Sequence, residues 1–144
     1  YKVSLIEENI RRHQVTNMTA EQWDARVSDK GSIGKADVVI ADLPCSGLGV
    51  LRKKPDIKYR MQPEDIKSLI ALQREILSTV HQYVKSGGRM IYSTCTIDAG
   101  ENEENVAWFM ANHKEFEVES MEQILPDELG SDGFFIARLR KQNV

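Results

Sequence analysis

Two cysteines, Cys45 and Cys95, each follow a short apolar run that predicts a buried β-strand. Cys45 stands in residues 42–47 (DLPCSG), and Cys95 stands in residues 93–96 (STCT). In an open α/β sheet, ligands bind beyond the carboxyl ends of the strands, and adjacent strands lie about 4.8 Å apart. We therefore expect the two thiols to converge on one ligand atom.

The positions of these thiols exclude several kinds of chemistry. They do not form the Cys-x-x-Cys pattern of a redox pair, and two cysteines are too few for a tetrahedral metal site. His13, His81 and His113 lie on or at the ends of predicted helices without the spacing of metal ligands, so we expect no metal. A hydrolase would need a histidine base near its nucleophile, and neither segment contains one.

Addition of a thiolate to an electron-poor ring fits the pair better. Carbon 5 of a pyrimidine is not nucleophilic, but a thiolate that adds to carbon 6 converts the ring into an enamine. Carbon 5 then takes an electrophilic methyl group, a base removes the carbon-5 proton, and the thiolate leaves. We expect an acid group near ring nitrogen 3, such as that of Asp42, to stabilise the adduct.

A basic segment follows the first cysteine. It carries five cations against one acid, a local charge of +4 in a chain whose net charge is −3. The cations are Arg52, Lys53, Lys54, Lys58 and Arg60. Composition alone favours nucleic-acid phosphates and a solvated loop about equally as the explanation. Residues 98–128 hold ten acids and one lysine, which we interpret as a solvated face.

Length and composition indicate one globular domain. The 144 residues are 41% hydrophobic and 28% charged, the balance of a folded water-soluble protein. Because no apolar run approaches the ~18 residues of a membrane span and no signal peptide is visible, we expect a reduced, cytoplasmic protein.

The pattern of apolar residues predicts alternating strands and helices. We expect helices over 2–13, 63–84 and 101–112, with Gly87 and Gly88 ending the second, and strands over 18–22, 36–41, 90–93, 116–120 and 134–139. The β-branched run at 36–41 is typical of a strand that is buried on both faces. The strand–helix–strand order predicts a doubly wound α/β fold, mostly parallel, with an antiparallel pair formed by the last two strands.

Four segments, in this order, resemble the RNA cytosine-5 methyltransferases, and most closely the bacterial 16S ribosomal RNA branch, the Sun/Fmu proteins. Residues 42–47 and 93–96 look like motifs IV and VI of that family. Residues 52–58 (RKKPDIK) and 131–135 (SDGFF) match two further segments of the branch. The resemblance implies a Rossmann-like methyltransferase sheet and S-adenosylmethionine-dependent methylation of carbon 5 of a cytosine in 16S ribosomal RNA.

The resemblance also implies a role for individual residues. Cys95 inherits the role of the nucleophile that forms the covalent adduct with cytosine, and Cys45 assists release of the product. Asp42 contacts the target base, Asp24 lies near the adenine of S-adenosylmethionine, and Asp42 and Pro44 complete the cofactor contacts on this chain.

The family's glycine-rich methionine-binding loop and its ribose-binding acid are absent from residues 1–144. The chain therefore resembles the carboxyl-terminal part of the catalytic domain, in a sheet that lacks its amino-terminal strands. We expect residues 1–144 alone to bind S-adenosylmethionine weakly, to be inactive, and to self-associate through exposed sheet edges.

Two alternatives stay open. The first is an RNA-binding module without catalysis, which would use the basic residues 52–60. The second is an amino-group methyltransferase, because Asp-Leu-Pro-Cys is distantly similar to the Asp-Pro-Pro-Tyr motif of that class.

Overall fold

A computed structural model describes residues 1–143 and contains one four-stranded sheet. The strands are β1 (Ala36–Asp42), β2 (Val84–Thr94), β3 (Phe116–Ile124) and β4 (Phe134–Lys141). They lie in the order β1-β2-β4-β3. β1 and β2 are parallel, whereas β4 is antiparallel to both β2 and β3, so three of the four strands run in one direction. This arrangement confirms the α/β class and the antiparallel pair at the carboxyl-terminal edge.

Within residues 1–143, four α-helices accompany the sheet: α1 (Lys2–Arg12), α2 (Ile57–Arg60), α3 (Pro63–Val80) and α4 (Glu103–Asn112). Short 3₁₀ turns occur at Lys30–Ser32 and His81–Tyr83. Pro63 occupies the first turn of α3, where the missing N–H leaves no hydrogen bond unmade, and Asp65 accepts a hydrogen bond from the Gln62 backbone N–H (2.9 Å). α3 is the crossover that makes β1 and β2 parallel neighbours. No helix among the described residues is long and apolar enough to cross a membrane.

The hydrophobic core lies on the face of the sheet that α3 and α4 cover. It is formed by Ile76, Leu77 and Val80 of α3, Val106 and Phe109 of α4, and alternate residues of the strands, including Met90, Tyr92, Phe135, Ala137 and Leu139. The opposite face is open: Ile40 of β1 is 72% exposed. The prediction that this strand is buried on both faces is therefore wrong, because no described element covers that side.

Two further predictions are wrong, and the predicted helix over 63–84 ends at Val80 because Val84 already belongs to β2. Residues 18–22 are not a strand, because no described strand lies beside them to complete a ladder of hydrogen bonds. Gly87 and Gly88 do not end α3; they lie inside β2, where the register with β1 is irregular. Gly87 has a φ of +77°, and a side chain at Gly88 would come within 2.9 Å of the Asp37 carbonyl oxygen. These glycines therefore permit an irregularity within a strand and a close approach of β1.

Candidate active site

The two cysteines meet at the carboxyl ends of adjacent parallel strands. Asp42 pairs with Ser93 at the end of the β1–β2 ladder, so the two loops leave the sheet side by side. Both side chains are half-buried, and their sulfur atoms lie 3.4 Å apart. The predicted convergence of the thiols is thus present in the structure.

The environment of Cys45 favours a protonated thiol. Burial, with a contribution from the contact with Cys95, raises the pKa of Cys45 to about 12. At neutral pH the Cys45 sulfur therefore carries a proton, directly beside the Cys95 sulfur.

This pKa predicts that Cys45 resists alkylation. At pH 8 its thiolate fraction is very small, because the thiolate appears only as the pH approaches the raised pKa. Residue-resolved mass spectrometry after iodoacetamide treatment measures this rate, with the same protein unfolded in urea as the control. Alkylation of folded Cys45 at pH 8 as fast as in the unfolded chain would contradict the assigned environment.

Asp42 and Pro44 lie at the rim of the same site. Both are exposed. The Ser93 hydroxyl donates a hydrogen bond to the Asp42 carboxylate (3.0 Å), and the Gln73 side chain donates one to the Pro44 carbonyl (2.9 Å). These contacts fix the start of the loop that carries Cys45.

Asp24 lies in the segment that precedes β1, and its polar contacts are with Arg26. The Arg26 guanidinium donates two hydrogen bonds to it (3.0 and 2.8 Å), and this pairing lowers the pKa of Asp24 to about 2. Close by, Trp23, Val38, Val39 and Tyr83 contribute to a cleft of about 520 Å³. The cleft also has acidic and polar lining residues, and Asp24 is an exposed, ionised carboxylate one residue from Trp23.

A buried polar network supports the Cys45 loop, and at its centre is Glu101, a residue that no sequence pattern indicated. This side chain is fully buried. It accepts hydrogen bonds from the Ser46 backbone N–H (2.8 Å), the Ser46 hydroxyl (2.6 Å) and the Gln73 side chain (3.0 Å). Glu101 thereby ties the loop after β1 to the start of α4. The acidic residues 98–128 are thus not all a solvated face.

A second set of contacts holds the Cys95 loop. Thr94 donates a hydrogen bond to Asn102 (2.6 Å), and Asn102 donates in turn to the Thr96 carbonyl (3.0 Å) and the Gln123 side chain (2.7 Å). The Thr96 and Ser46 hydroxyls lie 2.8 Å apart and join the two cysteine loops directly. Thr94, Thr96 and Asn102 are fully buried, so the nucleophile candidate stands on a rigid support.

A close contact between two glycines completes the site. Gly49 donates a backbone hydrogen bond to the Cys95 carbonyl (3.0 Å), and Gly133 donates one to the Gly49 carbonyl (2.8 Å). A side chain on Gly49 would lie 2.3 Å from the Gly133 oxygen and 2.8 Å from the Cys95 oxygen. The match of residues 131–135 to the family thus has a physical basis: this segment packs on both cysteine loops.

The basic segment is exposed, and three of its five cations are paired with acids. Arg52 contacts Asp127, Lys53 contacts Asp132 (2.6 Å), and Arg60 contacts Asp56 (2.5 Å). Two of these pairs connect the basic segment to the loop between β3 and β4. Arg52, Lys53 and residues 130–132 line a cleft of about 400 Å³.

Lys54 and Lys58 are exposed, and among the described residues neither forms an ion pair. The Lys58 ammonium lies 6.0 Å from the centre of the exposed Tyr59 ring. These two cations are therefore the ones most available to an outside anion.

A family model described as "16S rRNA methyltransferase RsmB/F" matches residues 1–140. The chain belongs to this family. The probable ribosomal RNA small subunit methyltransferase B of Bacillus subtilis (strain 168) is 39% identical over 160 residues, which cover 99% of this chain and 36% of the relative. The family resemblance seen in the two cysteine segments is thereby confirmed.

Solved structures of related proteins have the same fold. The crystal structure of PH0851 matches with a TM-score of 0.91 at 30% identity, covering 96% of this chain and 34% of that one. NSun6 from Pyrococcus horikoshii with SFG matches with a TM-score of 0.76 at 28% identity, covering 96% of this chain and 38% of that one. These matches confirm the Rossmann-like methyltransferase fold. The chain spans about a third of the length of the curated relatives that it matches.

Proposed function

We propose that residues 1–144 carry the reacting groups of an S-adenosylmethionine-dependent methyltransferase that modifies carbon 5 of a cytosine in 16S ribosomal RNA. The observation that carries this proposal is the 3.4 Å contact between the Cys45 and Cys95 sulfur atoms at the ends of adjacent parallel strands, in a chain of the RsmB/F family. Methylation of an exocyclic amino group needs no thiol, so the amino-group alternative leaves this pair unexplained.

The two thiols divide the work on the cytosine ring. Cys95 adds as a thiolate to carbon 6, which makes carbon 5 nucleophilic toward the incoming methyl group. After methyl transfer a base takes the carbon-5 proton, the electron pair of that bond forms the carbon 5–carbon 6 double bond, and the carbon 6–sulfur bond breaks to release the Cys95 thiolate. Cys45 assists this release, and its contact with Cys95 places it beside the bond that breaks. The Asp42 carboxyl group, at the rim, stabilises the adduct from the nitrogen-3 side.

S-adenosylmethionine, when bound, supplies the electrophilic methyl group. Asp24, Asp42 and Pro44 are the residues of this chain that would contact it. All three are exposed, so their positions are compatible with this role. Arg26 holds Asp24 in the ionised form, and this exposed carboxylate would accept a hydrogen bond from an amino or hydroxyl group of the cofactor.

Turnover is a property that we assign to the complete enzyme and not to residues 1–144 alone. The open face of the sheet and the exposed side chain of Ile40 on the edge strand β1 support this assignment. They also support self-association of the isolated chain. Calorimetric titration with S-adenosylmethionine tests whether residues 1–144 are incomplete: an affinity equal to that of the complete enzyme would contradict this assignment. A monomeric mass by light scattering would contradict self-association of the isolated chain.

Ribosomal RNA is the partner in this proposal, and the cations of residues 52–60 contact its phosphates. A reaction on ribosomal RNA takes place in the cytoplasm.

Lys54 and Lys58 are the cations of this segment without an ion-pair partner among the described residues, so we expect the double substitution Lys54→Ala/Lys58→Ala to weaken RNA binding. The loss of two phosphate contacts also lowers the slope of log affinity against log salt by about 1.4 to 1.8. Filter binding of small-subunit RNA at several salt concentrations measures both effects. Lys67→Ala, on the exposed face of α3, is the matched control and leaves the slope unchanged; an equal loss in both variants would contradict a role for this segment.

Nucleoside analysis tests the proposed reaction. The complete enzyme is incubated with S-adenosylmethionine and unmodified small-subunit RNA, and the digested RNA is examined by mass spectrometry. The proposal predicts 5-methylcytidine. A methyl group on an exocyclic nitrogen would favour the amino-group alternative. RNA binding without any methylated product would favour the non-catalytic RNA-binding module.

A further inference from the structure

His81, His113 and Glu115 form a cluster at the edge of the sheet opposite the cysteines. His81 begins the 3₁₀ turn that leads into β2, His113 follows the last residue of α4, and Glu115 directly precedes β3. β2 and β3 run in the same direction, so their starting ends share one edge of the sheet, whereas the cysteine loop of β2 leaves from the other edge. The cluster is therefore separate from the proposed active site.

The three side chains aim ligand atoms at one point. Glu115 Oε1 lies 3.6 Å from His81 Nδ1 and 3.7 Å from His113 Nδ1, and the three ligand atoms lie within 4.8 Å of one another. These distances are too long for good hydrogen bonds. In a tetrahedral zinc site each ligand atom lies ~2.0–2.1 Å from the ion, which puts two ligand atoms about 3.3 Å apart. The two Glu115–histidine distances are only slightly longer than this separation.

Packing holds both imidazole rings in place. Their centroids are 4.1 Å apart, the His113 ring stacks on Phe109 (4.3 Å), and the edge of Phe116 lies against His81 (6.1 Å). Phe109 and Phe116 are fully or almost fully buried. Little conformational freedom is therefore left to be lost when a ligand binds.

One imidazole nitrogen of His81 is buried without a hydrogen bond to any described residue. Its Nδ1 atom is buried and has no hydrogen-bond partner among the described residues. Buried polar atoms of this kind are uncommon and call for an explanation such as a bound ion. A metal ion between His81, His113 and Glu115 would satisfy it.

The Glu115 carboxylate is available to bind a metal ion, because no nearby cation pairs with it among the described residues. Lys141 is the nearby cation, and its ammonium group donates a hydrogen bond to the Val84 carbonyl (3.0 Å) while lying 5.9 Å from the Phe116 ring centre. It forms no ion pair with Glu115 among the described residues. The contacts of the Glu115 carboxylate are with the two histidines.

From this geometry we infer that His81, His113 and Glu115 bind a zinc ion, with water in the fourth position. Two imidazole nitrogens and one carboxylate oxygen suit zinc or cobalt better than magnesium or calcium, which prefer all-oxygen sites. The ion clamps the ends of α3 and α4 to the start of β3. The site is independent of the proposed methyl transfer.

Titration of the tag-free, metal-free 144-residue chain with zinc tests this site, and the cysteine pair is the main competitor for the ion. The experiment therefore uses the Cys45→Ser/Cys95→Ser variant beside the unsubstituted chain. We expect one zinc ion per chain in both proteins, and saturating zinc raises the midpoint of thermal unfolding by about 5 °C or more. With cobalt, the Cys45→Ser/Cys95→Ser variant gives a nitrogen and oxygen ligand spectrum without a thiolate charge-transfer band.

His113→Gln and Glu115→Gln are the variants that remove a ligand while keeping a polar side chain. Each is expected to weaken zinc binding by about 100-fold or more, because loss of a residue that only supports a ligand already weakens metal binding by about 10- to 100-fold. His13→Gln, at the exposed end of α1, leaves the affinity unchanged and is the matched control. Circular dichroism without zinc confirms that each variant is folded, and either ligand variant is sufficient for the test.

Three results would overturn the inference. The first is the absence of zinc binding at millimolar concentration. The second is loss of binding in the Cys45→Ser/Cys95→Ser variant, which would assign the ion to the thiols. The third is an unchanged affinity in a folded His113→Gln or Glu115→Gln variant.

Discussion

Replacement of Cys95 by alanine in the complete enzyme is expected to abolish methylation of small-subunit RNA, with a loss of about 10⁴-fold or more, because the nucleophile of a covalent mechanism has no substitute nearby. Cys45 is the nearest thiol, and burial holds it in the protonated form with a pKa of about 12. Transfer of a labelled methyl group from S-adenosylmethionine to RNA measures the loss.

The matched control for this prediction is Cys45→Ala. It also removes one thiol from the 3.4 Å pair, but it leaves the nucleophile in place. We expect it to slow turnover and to leave the first step intact, so that the covalent RNA–protein species accumulates. Equal loss of adduct formation in the two variants would contradict the assignment of Cys95 as the nucleophile and of Cys45 to product release.

The second large effect is expected at Glu101. Glu101→Ala removes the acceptor of hydrogen bonds from the Ser46 N–H, the Ser46 hydroxyl and the Gln73 amide, and leaves these donors buried. At about 1 kcal/mol or more for each unsatisfied donor, the free energy of unfolding falls by about 3 kcal/mol. Urea denaturation of the 144-residue chain, followed by circular dichroism at one protein concentration at which light scattering gives the same mass for both variants, measures it.

Glu103→Ala is the matched control for Glu101→Ala. Glu103 lies two residues away in the first turn of α4 but is exposed, so its removal changes the free energy of unfolding by at most about 0.5 kcal/mol. Similar values for the two variants would show that the buried network does not support the Cys45 loop. In the complete enzyme, Glu101→Gln keeps the size of the side chain and separates loss of packing from loss of the carboxyl group.

The sequence predicts the convergence of the cysteines because it depends on only two rules. A short apolar run ends at each loop, and strands joined by one helical crossover are frequently neighbours, which brings Cys45 and Cys95 to the same edge. Both rules use local patterns. They therefore hold without knowledge of how the rest of the chain packs.

The support beneath the site could not be predicted in the same way. Glu101 and Glu103 are the same residue type two positions apart, yet one is fully buried and the other exposed. The difference arises because Ser46 and Gln73, distant in sequence, direct their donors at Glu101. Such a contact has no periodicity, so no pattern along the chain reveals it.

The clustering of the two histidines could not be predicted from their spacing, for the same reason. His81 and His113 are 32 residues apart, and only the packing of α3 beside α4 brings their rings within 4.1 Å. Gly87 and Gly88 are a different kind of failure. A glycine pair after a helical pattern commonly ends the helix, but here it accommodates the irregular register of β1 and β2.

Trapping with 5-fluorocytosine tests the covalent mechanism most directly. The complete enzyme is incubated with S-adenosylmethionine and a small-subunit RNA that contains 5-fluorocytosine, and fluorine at carbon 5 prevents the proton removal that releases the enzyme. The account predicts a denaturation-resistant RNA–protein adduct that forms with the unsubstituted enzyme and with Cys45→Ala but not with Cys95→Ala. Absence of an adduct in all three proteins would contradict it and would leave the two thiols with a structural role in an RNA-binding module.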